Sequence, residues 1–166
     1  MKNEELRQFL ASKDACQSAM DWLGDRDSGH MWAECERPDW LLWWAAHAVP
    51  RQELVLAACD CAELALRYVP QGEHRPRLAI ETARRWARGE ATVEEVRAAD
   101  TAAIAAFLAA GNAAAYAALT AYAPRASDAA LTATRATRAA GRAARATMCQ
   151  LIRARWPECP LPEVTA

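Results

Sequence analysis

Strand-forming side chains are scarce in this chain. Phe occurs twice and Tyr three times in 166 residues, beside only 6 Val and 3 Ile, and a sheet needs β-branched and aromatic residues to fill its pleated faces. Also missing is any run of ~18 strongly apolar residues, the length that a membrane-spanning helix requires. The opening MKNEELRQFLASKD has no basic region leading into an apolar stretch, so no secretory signal is expected. The expectation is a soluble, cytoplasmic protein with no membrane partner. Net charge is −1, so no bulk field draws the chain to nucleic acid or anionic lipid.

Catalytic signatures are lacking as well. His30, His47 and His74 fall at no metal-ligand spacing, and neither a Gly-rich phosphate loop nor a G-x-S-x-G elbow can be read. Six cysteines, Cys16, Cys35, Cys59, Cys61, Cys149 and Cys159, are irregularly spaced; in a chain long enough to have a core they fit reduced thiols better than a disulfide framework. Cys59 and Cys61 stand two apart, about 200° around a helix, so their sulfurs face opposite sides and cannot share one metal ion. The chain is therefore read as a non-enzyme with no catalytic residue, no metal and no cofactor.

Alanine is what the chain has instead, filling about a quarter of its positions, and it favours helix at almost no side-chain entropy cost. Caps and breakers divide the sequence. Ser12 precedes a short run to Leu23 with Gly24 beyond it, and Ser28 can cap a second run through Cys35. Pro38 breaks the chain, Asp39 can cap or open a Trp-rich helix ending near Val49, and Pro50 starts the next one, running to about Tyr68. Pro76 opens a helix stopped at Gly89, and Thr92 with Glu95 forms a capping box for a long Ala-rich helix reaching about Ala110. A helix to Tyr122 or Ala123 and a last one from Ser127 to about Trp156 complete the pattern. The expected fold is all-α: a single helical bundle of seven or eight helices over residues 1–156, close-packed in its Ala-rich C-terminal half. A Pro-rich tail, 157–166, is expected to be extended or disordered.

Charge is unevenly distributed. Residues 1–100 carry 13 basic and 18 acidic side chains, and residues 101–166 carry 7 and 3, so an acidic region precedes a basic one.

Three constellations stand out on this scaffold. Trp40, Trp43, Trp44 and His47 share one helical stripe, which suits either a core helix or an aromatic anchor for a partner. Arg77, Glu81, Arg84 and Arg88 line the side of a helix opposite Ala79, Ala83 and Trp86; this is a solvated face with i,i+4 pairs, or a face that reads a partner's carboxylates through guanidinium forks. Arg135, Arg138, Arg142 and Arg145 line the last helix. That row could meet an acidic partner or nucleic acid, but no stacking aromatics accompany it, which disfavours nucleic acid.

The stretches WAECERPDWLLW, LVLAACDCAELALRYVP and GEHRPRLAIETARRWARGEAT, followed by the Ala-rich tract, resemble the immunity proteins predicted in bacterial polymorphic toxin systems. The resemblance spans roughly residues 15–156 and includes Asp39, Trp40, Trp43, Arg77, Glu81 and Trp86. It implies an all-helical protein that neutralises a cognate toxin by direct, stoichiometric binding, and it carries over no catalytic residue. The candidate contacts for the toxin or another protein target are Arg77, Glu81, Arg84, Arg88 and Trp43. A phage-borne inhibitor of a host defence complex, and a nucleic-acid-binding helical protein using the basic last helix, remain the alternatives.

Overall fold

The computed structural model describes residues 1–64, 66–110 and 144–162, with residue 68 and residues 104–110 as backbone alone. The fold is all-α, and among the described residues there is no strand. The first four helices are short: α1 (Asn3–Ser12), α2 (Gln17–Leu23), α3 (Ser28–Glu34) and α4 (Pro38–Ala45). Three longer ones follow, α5 (Arg51–Glu63), α6 (Arg75–Ala87) and α7 (Val93–Ala110), with a 3-10 turn at Leu66–Tyr68 between α5 and α6. Residues 144–155 are again helical. No helix among the described residues is long and apolar enough to cross a membrane.

Local chemistry accounts for most boundaries. The Asp27 carboxylate accepts from the backbone N–H of His30 at 2.8 Å and so caps α3, which makes Ser28 its first residue rather than its cap. Pro38 occupies the first turn of α4, where no N–H is needed. The Thr92 and Glu95 capping box forms in both directions, Thr92 N–H to Glu95 Oε2 at 2.7 Å and Glu95 N–H to Thr92 Oγ1 at 3.2 Å. Gly89 ends α6 at φ +78°, a left-handed conformation that strains any residue with a Cβ.

Three expected boundaries are corrected, and the first is the end of α5, which stops at Glu63 rather than near Tyr68, the latter lying in the separate 3-10 turn. Ser12 starts no helix; it ends α1, its hydroxyl donating to the Phe9 carbonyl at 2.7 Å. The apolar pair Leu6 and Leu10, one turn apart and both buried, makes residues 3–12 helical because that pair packs into the core. The Trp-rich helix stops at Ala45, with turns over residues 46–48 before Pro50. The helices expected between Gly111 and Ala123 and at the start of the run from Ser127 lie outside the described residues.

α5 is the wall shared by two apolar clusters. Leu54, Ala57 and Cys61 face the larger one, built from α1 to α4 together with Met148, Cys149 and Ile152 of the C-terminal helix. Val55, Cys59 and Ala62 face Ile80 and Ala83 of α6. The two cysteines are thus buried on different sides of one helix, as their spacing requires, and burial pushes both thiols up to about 12. Ala79 and Ala103 join α6 to α7 through small side chains that let the backbones approach closely.

The C-terminal helix and the segment after it are tied to the N-terminal helices by polar contacts from buried rings. Trp32 donates its indole N–H to the Trp156 carbonyl at 3.1 Å, and Trp44 donates to the Pro160 carbonyl at 2.7 Å. Arg153 returns the contact, donating to the carbonyls of Trp32 and Cys35 at the end of α3, where the helix leaves acceptors unpaired. Residues 156–162 are non-helical, and Pro162 is buried.

Candidate functional site

The charged side of α6 separates into exposed and internally paired members. Pro76, Ala79, Ile80, Thr82 and Ala83 are buried, while Arg77 and Glu81 stand exposed without an ion pair among the described residues. Arg84 turns toward α5 and holds two carboxylates, Asp60 at 2.8 Å and Glu63, and these contacts raise the Arg84 pKa. Arg88 lies just past the helix and pairs with Glu90 at 2.8 Å. The i,i+4 pairs expected within α6, Arg77 to Glu81 and Glu81 to Arg85, are not among its ion pairs. A neighbouring helix offers Arg84 two carboxylates in a partly dehydrated site, which is a better partner than a flexible side chain in water.

Asp60 is the hub of this network. Its second oxygen accepts from Arg155 at 2.7 Å, and Arg155 also reaches Glu53 at 3.2 Å. α5, α6 and the C-terminal helix are therefore cross-braced by charge where Arg84 was expected to meet solvent or a partner.

The tryptophan stripe is divided in a similar way. Trp44 is fully buried, but Trp40, Trp43 and His47 are only half-buried. Trp43 meets the His47 ring edge-on at 4.6 Å, and burial lowers the His47 pKa, with Lys13 adding to the effect.

Trp40, Trp43 and Trp44 form one side of an open cavity of about 340 Å³, closed by Leu10 of α1, Trp22 and Leu23 of α2, and Met31 of α3. Trp22 and Trp40 contact edge-to-face at 5.8 Å. A guanidinium covers each ring, Arg26 at 4.7 Å from Trp22 and Arg37 at 4.5 Å from Trp40, and each Arg is itself held by a carboxylate, Glu34 or Asp39. Asp39 is buried in the first turn of α4, accepting from Arg37 at 2.9 and 2.6 Å. Arg37 occupies the cap position and Pro38, expected to break the chain, opens the helix, so Asp39 is its second residue and neither caps nor opens it.

On the far side of Trp22 and Trp40 lies a wider cleft of about 1080 Å³ with charged walls. Arg145, the one member of the basic row within the described residues, is half-buried and opens onto it. Arg135, Arg138 and Arg142 lie outside the described residues, so the row as a whole has no geometry here.

Trp22, Arg26 and Arg37 were not among the candidates read from the sequence. Their signal was present as W-x-x-x-R at 22–26 and R-x-x-W at 37–40, where a guanidinium just past the end of α2 or just before α4 lies close enough in the chain to reach the ring.

Comparison with curated proteins and with solved structures gives no match. A family model described as "Imm-5 like putative immunity protein" matches residues 46–155, about two thirds of the chain. The match takes in α5, α6, α7, the Asp60 network and the exposed Arg77 and Glu81, while every residue lining the Trp cavity, Leu10 to Trp44, lies before it. The chain belongs to the Imm-5 like immunity protein family.

Proposed function

We propose that this protein neutralises a cognate bacterial toxin by binding it directly and stoichiometrically, without catalysis. Family membership over residues 46–155 is the observation that carries the reading. An inhibitor of this kind needs a firm scaffold and a surface of aromatic and charged anchors, and no reactive group.

Among the candidate contacts, Arg77 and Glu81 are exposed and able to meet a partner as they stand, and Trp43 lines an open cavity. Arg84 and Arg88 would first have to leave Asp60, Glu63 and Glu90, and breaking those contacts offsets part of any gain. Binding is therefore assigned to Arg77, Glu81 and Trp43, with Arg84 and Arg88 as bracing.

Coexpression with each candidate toxin encoded beside this gene tests the reading. The expected result is a one-to-one complex and restored growth, with Arg77→Glu weakening both while the thermal midpoint stays unchanged. Growth restored without any complex would refute direct binding.

A further inference from the structure

We infer that the Trp-lined cavity is a socket for one aromatic side chain that a protein partner presents beside a cationic residue. The inference rests on the proposed toxin binding and deepens it by naming the anchor. The cavity, at about 340 Å³, falls within the ~300–1,000 Å³ range of ligand sites. It is more than twice the ~150 Å³ void that admits a benzene ring. Its walls are aromatic: Trp22, Trp40 and Trp43 are half-buried and Trp44 is buried beneath them, so an incoming ring meets indoles it can stack on or approach edge-on. These walls are already held in place by the Trp22 to Trp40 contact, the two covering guanidinium groups and the Trp44 to Pro160 hydrogen bond. Little ordering is left for binding to impose.

Charge selects the neighbour of that ring. Among the described residues no cationic side chain lines the cavity, and the two charged ones that do are Asp39, which Arg37 neutralises, and Asp14, which is exposed at the rim and forms no ion pair. From Lys13 to Arg26, the segment containing the outer wall α2, there are three aspartates against two cations, Lys13, which lies over the Phe9 ring, and Arg26, which Glu34 pairs. An aromatic residue flanked by cations complements such a rim, whereas one flanked by carboxylates is repelled.

Two capped tripeptides serve as probes, Lys-Trp-Lys and Glu-Trp-Glu, titrated at low salt into the nitrogen-15-labelled full chain while its indole N–H signals are followed. The Lys peptide should move the Trp22, Trp40 and Trp43 signals and leave Trp32 in place. It should bind about five-fold more tightly than the Glu peptide, the size of one surface charge contact. Asp14→Asn should narrow that gap. Two changes fill the mouth: Ala19→Trp on α2, and a bulky maleimide attached to exposed Cys16 after folding, which carries no risk to folding itself. Either should abolish the shifts.

Equal affinity for both peptides, no shift, or shifts that survive in the filled protein would overturn the inference. Toxin binding is read separately. A filled protein that still binds and neutralises the adjacent toxin overturns the socket but leaves toxin neutralisation standing. A wild-type chain that binds the Lys peptide in the socket and no toxin keeps the socket's chemistry and removes the toxin reading.

Discussion

Asp100 should make this protein less stable as pH rises through the mildly acidic range. It lies on α7 with only 5% of its surface exposed, and its Oδ1 atom is buried without a hydrogen-bond partner among the described residues. Burial raises its pKa from 3.8 to about 6, because the ionised form loses hydration and its Oδ1 gains no compensating donor among the described residues. The folded state then binds this proton more tightly than the unfolded state does, so its contribution is fully present below about pH 4 and is lost as pH rises through about 6. A shift of about two units corresponds to ~3 kcal/mol at most. Arg97, Ala98 and Thr101 on the outer side of the helix are exposed, so solvent screens part of the penalty and about 1–2 kcal/mol is the working value.

The measurement is urea unfolding followed by far-ultraviolet circular dichroism at several pH values between about 4.5 and 7.5, for the wild type and Asp100→Asn. The variant's stability relative to wild type should grow by about 1–2 kcal/mol across that window. Taking the difference removes His47, whose lowered pKa acts in the opposite direction: its neutral form is favoured on folding, so its contribution is present above its unfolded value and is lost as pH falls. It also removes the lowered carboxylates such as Glu90 and Glu95, whose contributions are lost only at still lower pH. A difference that stays constant across the window would refute the argument.

The remaining expectations concern packing, backbone and thiols. Trp44→Ala should cost ~3–5 kcal/mol in chemical denaturation, the range for deleting a large buried ring, since it also removes the Pro160 hydrogen bond and the edge-on Phe9 contact at 5.4 Å. Trp43→Ala, at a half-buried site, should cost clearly less; equal losses would show that the two rings are equally buried. Gly89→Ala should lower stability by about 1 kcal/mol through φ strain alone, because beyond its chain neighbours no atom of the described residues lies within 4 Å of the added Cβ; an unchanged thermal midpoint would count against the left-handed cap. In a thiol titration of the native protein, exposed Cys16 should react fast, and the other five should wait for unfolding. Cys35 and Cys159 are pushed up to about 11 by burial, and Cys59, Cys61 and Cys149 to about 12; a second fast equivalent would contradict this.

Helical character, and most of the boundaries from Asp27 to Ala110, could be read from the sequence because they depend on chemistry within a few residues. Thr92 finds Glu95 three positions away, Pro76 supplies a first-turn residue without an N–H group, and Gly89 accepts a φ that other residues resist. The 200° between Cys59 and Cys61 is likewise a property of helix geometry, and it already separated the two sulfurs. The family resemblance was legible in the same local texture, and the match over residues 46–155 bears it out.

What the candidate residues do was decided by partners distant along the chain. Arg77 and Arg84 are seven apart on one helix and look alike in sequence. Only the packing of α6 on α5 sets Arg84 between Asp60 and Glu63, 24 and 21 residues away, and leaves Arg77 in solvent. Trp43 and Trp44 are adjacent and both line the cavity, yet Trp43 is half-buried while Trp44 is fully buried and held by a carbonyl 116 residues away. Local propensity sets which residues are helical, because it acts through bonds and contacts inside one turn. Exposure, pairing and cavity walls depend on how helices pack against one another, and no short-range signal in the chain encodes that.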